Sequence, residues 1–96
     1  MKRFHILIYK TADNYIEKRA PHRSNHLNLV KQAMQEKQII MGGALDNPAN
    51  EAFIVFNEAS VAEAFAKNDP YVKNGAVKEW LVRPWNVFTE MSDFKI

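Results

Sequence analysis

Apolar and polar positions alternate from the first residues onward. Phe4, Ile6 and Ile8 interleave with His5, Leu7 and Tyr9, the period of a strand covered on both faces. A polar stretch over 10–19 follows. Then Leu27, Val30 and Met34, joined by Leu29 and Ala33, recur at helical spacing. That stripe predicts a helix from about residue 21 to 36, with Pro21 tolerated in its first turn. A strand over 38–44 reaches the Gly42-Gly43 pair, and a polar turn over 46–50 leads into another over 52–56, a hairpin with a longer loop. Ser60 with Glu63 three residues on reads as a capping box for a short helix carrying Val61, Ala64 and Phe65. Asp69-Pro70 ends it, because the residue before a proline is driven from the helical region. A final strand spans 77–85.

The order β-α-β-β-α-β is that of a ferredoxin-like α+β fold, one antiparallel sheet with two helices on one face. Residues 1–96 form a single domain, with its core over 3–88 and a tail over 89–96. Two helices cover only one side of a sheet, yet the strands carry apolar residues on both. Phe53 and Val55 oppose Ala52, Ile54 and Phe56, while Trp80 and Val82 oppose Leu81 and Trp85. Leu81, Trp85 and Leu7 are expected on the bare face. Apolar surface of this kind calls for a partner, most simply a second copy of the chain in a homodimer or higher homo-oligomer.

Composition narrows the classes of function. With no cysteine, disulfides, thiolate metal sites and cysteine nucleophiles are excluded, which fits a reducing, cytoplasmic setting. The N-terminal apolar run is too short for a signal-peptide core or a membrane span, so a soluble, unprocessed chain is expected. The formal charge is only +2, but it is uneven: eight Lys or Arg face three Asp or Glu in residues 1–40, and five face eight in residues 41–96. One end of the molecule suits an anionic small ligand, or the asymmetry is solvated surface. Neither a membrane nor a nucleic acid is indicated. Residues 52–56 faintly echo an RNA-recognition strand, but Asn50-Glu51 stands where its basic-glycine start belongs.

The chemistry-bearing residues are few. His26 falls on the buried stripe of the first helix, as a reactive imidazole or as a hydrogen-bonded core histidine. Arg19 and Arg23 stand one turn apart just before it, able to hold a carboxylate or phenolate, or simply solvated. Asp69 before Pro70 reads as an N-cap, with Gly75 closing the small helix at C′. Capping occupies one carboxylate oxygen and leaves the other free to face a cleft. Gly42-Gly43 permits close backbone approach to a ligand, or ends its strand with a bulge. His22 and His26 have the spacing of two metal ligands, but no Glu follows His22 and no third histidine is near, so no metal is expected. No nucleophile elbow surrounds Ser24, and no glycine-rich phosphate loop or dinucleotide fingerprint exists.

Several segments together resemble the YCII-related family: Glu17-Lys18-Arg19, Arg23-Ser24-Asn25-His26-Leu27, Gly42-Gly43, Asn68-Asp69-Pro70-Tyr71 and Val82-Arg83-Pro84-Trp85. The resemblance covers the chain from the first strand to about Phe88. It implies a ferredoxin-like dimeric α+β barrel and a proposed catalytic pair, His26 and Asp69. It also implies substrate contacts from Arg19, Arg23, Gly42, Gly43 and Tyr71. Many relatives carry Gly-Pro where this chain has Gly42-Gly43. Where relatives have a described activity, it is cofactor-independent elimination on a hydroxylated aromatic ring. The resemblance thus implies a lyase or isomerase that needs no cofactor and acts on a small cyclic or hydroxylated aromatic compound. The competing class is a non-catalytic dimer that binds a small ligand or serves as an accessory subunit.

Overall fold

The computed structural model describes residues 2–88, so the tail expected over 89–96 lies outside the described residues. Four strands, β1 (Lys2–Thr11), β2 (Ile39–Ala44), β3 (Glu51–Phe56) and β4 (Val77–Val87), form one antiparallel sheet in the order β2-β3-β1-β4. The expected α+β ferredoxin-like order is present. Each βαβ half needs its helical segment to cross back over the sheet, which puts all the helices on one face.

The helical segments are more divided than the two expected helices. Between β1 and β2 the chain forms α1 (Tyr15–Arg19), a 3₁₀ turn (Ala20–His22) and α2 (Arg23–Gln35). Residues 10–19, expected to be irregular, therefore contain a helical turn that buries Tyr15. The proline at position 21 sits in the 3₁₀ turn, and α2 begins two residues after it. Helix α2 closes with the N–H groups of Gln38 and Lys37 donating to the carbonyls of Ala33 and Met34, and Lys37 takes the left-handed conformation at φ 58°. Such a closure usually employs glycine; here a lysine bears the strain.

Between β3 and β4 lie α3 (Ala59–Asn68) and α4 (Pro70–Lys73). The capping box expected at Ser60 does not form. Helix α3 starts at Ala59 with Glu58 at the N-cap and no side-chain cap, so Ser60 is already inside the first turn. The helix thus begins two residues earlier than expected, and it buries Ala62, Phe65 and Ala66 while Ala64 is exposed. The expected punctuation at Asp69-Pro70 is present, with Pro70 at N1 of α4 and Gly75 past its end at φ 80°.

The core lies between the sheet and the helices. Leu7, Tyr9, Ile54 and Phe56 from the sheet meet Ala33 of α2 and Ala62, Phe65 and Ala66 of α3. Leu7 belongs to this face, not to the bare one where it was expected. It is opposite Ile54 and Val82 in register and fully buried, because a period of two sends Leu7 and Tyr9 to the same side. The bare face is instead built by Phe4, Ile6, Ile8, Phe53, Leu81 and Trp85, of which Leu81 and Trp85 are about 40% exposed. At its end a Lys10–Glu51 ion pair spans β1 and β3.

Edge strand β2 carries a bulge. Ile39 pairs with Phe56 and Met41 with Val55, so Ile40 has no opposite residue. After the bulge Gly42 falls opposite Ile54 and Gly43 opposite Phe53, placing one glycine on each face. Among the described residues no helix is long and apolar enough to cross a membrane.

Replacing a fully buried leucine removes its transfer energy and leaves a cavity. Leu7→Ala is expected to cost about 3 kcal/mol in urea unfolding. A cost below about 1 kcal/mol would mean that Leu7 is not in the core.

Candidate functional site

The segment from α1 through α2 presents one stripe toward the sheet edge. Tyr15, Arg19, Arg23, His26, Leu27, Val30 and Met34 follow at helical intervals, and all of them line a cavity of about 480 Å³. The facing wall is β2 with Ala52 and Ile54 of β3, while Tyr9 and Tyr71 close the inner end. This explains why Leu27 and Met34 are about half exposed although their spacing marks them as core. The apolar stripe of α2 divides: Leu29 and Ala33 pack into the core, Leu27 and Met34 face the cavity, and Val30 touches both. The volume and the mostly apolar walls suit a small cyclic molecule.

At the inner end stands Asp69, fully buried and reached by three elements. Its Oδ1 accepts the Tyr71 N–H at 3.0 Å, which caps α4. Its Oδ2 accepts the Tyr9 hydroxyl proton from β1 at 2.7 Å. His26 Nδ1, from α2, lies 2.8 Å from Oδ1 and 2.9 Å from Oδ2. Capping and contact with His26 thus coexist on one carboxylate. A carboxylate can only accept, so Nδ1 carries a hydrogen, and in the neutral imidazole the lone pair lies on Nε2.

The imidazole is held by packing as well. It stacks on the Tyr71 ring at a centroid distance of 3.8 Å and an interplanar angle of 6°, with Phe65 edge-on at 6.4 Å. Tyr15 in turn meets Tyr71 edge-on at 6.0 Å and lies under the Arg19 guanidinium at 5.0 Å. The Tyr71 hydroxyl is buried without a hydrogen-bond partner, and the Arg23 guanidinium is close enough to act on it electrostatically. Burial raises the Tyr71 phenol above its ordinary value and Tyr15 adds to the rise, while Arg23 and Arg19 act in the opposite direction. Burial, and then the Asp69 carboxylate, push the Tyr9 phenol far above the usual range, so its hydroxyl stays a donor.

The seven residues singled out from sequence all converge here. His26, Arg19, Arg23, Gly42, Gly43 and Tyr71 line the cavity, and Asp69 stands behind His26. Gly42 leaves the sheet wall low, since a Cβ there would meet Ile54 at 3.4 Å. His22 does not join His26, and among the described residues no three His, Cys, Asp or Glu side chains cluster as metal ligands. Sequence reasoning missed Tyr9 and Tyr15. Tyr9 had a usable signal, because a tyrosine on the core face of a central strand needs a partner for its hydroxyl.

A profile of the YCII-related domain matches residues 2–86. The chain belongs to the YCII-related family. It is 28% identical to an uncharacterized protein of Haemophilus influenzae, a match covering 85% of this chain and 95% of that protein. Among solved structures this YCII-related chain is similar to the 5-chloro-2-hydroxyhydroquinone dehydrochlorinase of Burkholderia phenoliruptrix, in complex with 2,5-dihydroxybenzoquinone. The TM-score is 0.71 at 18% identity, covering 86% of this chain and 93% of the other. That likeness establishes a shared fold.

The buried carboxylate yields a direct stability test. Asparagine at position 69 preserves volume and a capping oxygen, but its amide donor must face the Tyr9 hydroxyl or the His26 Nδ1–H. Asp69→Asn is expected to lose about 2 kcal/mol in urea unfolding. Stability within about 0.5 kcal/mol of the parent would show that the three donors do not act together.

Proposed function

We propose that this YCII-related protein is a lyase or isomerase that uses His26 as a general base and requires no cofactor. The observation that carries the reading is His26 on the wall of an apolar cavity, with Nδ1 held by buried Asp69 and Nε2 left free. A base so oriented takes a proton from a substrate O–H, or from a C–H next to a carbonyl, and Asp69 stabilises the imidazolium formed. The electron pair left behind forms an enolate or phenolate. It then either expels a leaving group from a conjugated carbon or is reprotonated at another carbon, giving elimination or double-bond migration. Neither outcome needs an external electron acceptor.

Arg19 and Arg23 supply positive charge where the oxyanion develops. The aromatic lining from Tyr15 and Tyr71 suits a flat ring. The similar fold of a dehydrochlorinase solved with a dihydroxybenzoquinone supports hydroxylated aromatic rings as the substrate class, with loss of a halide as one form of the elimination. The bare sheet face supports a homodimer, in which Phe4, Ile6, Phe53, Leu81 and Trp85 meet their counterparts in a dimeric α+β barrel.

Two measurements test these readings. His26→Asn keeps a donor to Asp69 but removes Nε2, so turnover of hydroxylated aromatics or small lactones should fall at least about a hundredfold with the fold intact. A folded H26N of unchanged activity would dismiss the general base, and a parent protein that binds such compounds without turnover would be a binding module. Light scattering at micromolar concentration should give twice the chain mass. A monomer at every concentration would dismiss the barrel.

A further inference from the structure

We infer that Tyr9 is a positioning residue for the proposed base, acting through Asp69 to hold His26 in the Nδ1–H tautomer with Nε2 toward the cavity. The inference rests on the general-base reading and extends it to a residue that borders the inner end of the cavity but bonds to Asp69 rather than to the imidazole. Asp69 has four lone-pair directions in a site that excludes water. Two fixed donors occupy one on each oxygen: the Tyr71 N–H on Oδ1 and the Tyr9 hydroxyl on Oδ2. What remains is the side shared by both oxygens, where His26 Nδ1 sits nearly equidistant at 2.8 and 2.9 Å. The carboxylate is therefore rotationally locked, and it admits a single further donor in a single place.

Of the two fixed donors, the backbone N–H comes with the helix cap and is present for any residue following Pro70. Tyr9 is the side-chain contribution, and it projects from β1, a central strand paired on both sides. Its ring is buried in the core and only its hydroxyl reaches Asp69. The strongly raised phenol keeps that hydrogen in place at any working pH. Without it, Asp69 can turn about its side-chain bond, and Nδ1 loses its symmetric seat. The other tautomer, with the hydrogen on Nε2, then becomes populated, and that form cannot take a substrate proton at Nε2.

The test is read from the histidine nitrogens. In long-range ¹H–¹⁵N spectra of the full chain at mildly alkaline pH, with signals assigned through H26N, His26 of the parent should show a protonated Nδ1 and an unprotonated Nε2. In Tyr9→Phe the two nitrogen shifts should converge as the second tautomer appears. Where turnover is measurable, kcat should fall about tenfold, the scale of one hydrogen bond, with KM little changed. A folded Y9F whose His26 shifts match the parent overturns the inference, as does a parent in the Nε2–H tautomer. If Y9F does not fold, 3-fluorotyrosine placed at position 9 alone keeps the ring and strengthens the donor. It should move the His26 Nδ1 signal, and an unmoved signal overturns the inference. Both spectra are taken without substrate, so failure of the proposed reaction does not alter their outcome.

Discussion

A carboxylate buried away from all solvent must be surrounded by donors, and that requirement ties this molecule together. Asp69 satisfies it with hydrogens from β1, α2 and the first turn of α4. An unpartnered buried charge costs several kcal/mol, so each contributing element is held in register by the need to bring its donor. The same contacts fix the cap of α4, the angle of α2 against the sheet and the orientation of the imidazole. Structure and proposed chemistry therefore share one set of hydrogen bonds.

The packing around that centre shows how a cavity arises in a chain this small. If α2 lay flat on the sheet, its whole apolar stripe would be buried. Instead its Leu29 and Ala33 side packs into the core, Val30 borders core and cavity alike, and Leu27 and Met34 face β2 across the cavity. The bulge at Ile40 and the missing side chain at Gly42 keep the opposite wall low. The space left between them is apolar along its length and cationic at the α1 end, where Arg19 stands over the Tyr15 ring and Arg23 lines the same wall. This division of one helical stripe into a core half and a cavity half is what joins the fold to the site.

The sheet has a second apolar face, and it reaches the cavity through β2. Met41, Gly42, Gly43 and Ala44 border both the cavity and the bare face. An edge strand with exposed Ile40 and Met41 is an unusual surface for a lone subunit. In the proposed homodimer, burial of the bare face would stiffen this strand from behind and so set the shape of the cavity wall.

Local chemistry and periodicity made much of this readable from the chain alone. The alternation in β1 and β3, the Asp69-Pro70 cap with Gly75 after it, and the ferredoxin-like order all follow from neighbours in sequence. The grouping of His26, Asp69, Arg19, Arg23, Gly42, Gly43 and Tyr71 came instead from the family resemblance, which joined residues that spacing could not. Features that depend on contacts between distant segments were not readable. Leu7 was placed on the wrong face because a strand with two apolar sides does not say which side the helices cover; only the pairing with Ile54 and Val82 decides it. The capping box failed because a side-chain cap is one local contact, and α3 is positioned by Ala62, Phe65 and Ala66 against the sheet instead. Tyr9 went unnoticed because its hydroxyl bonds to a residue 60 positions away. Sequence determined the four strands, the two main helices and which residues could react, since those depend on backbone preference and side-chain type. Tertiary structure alone decided which face is buried, where the cavity opens and which nitrogen of His26 is free, because each is settled by a meeting of distant segments.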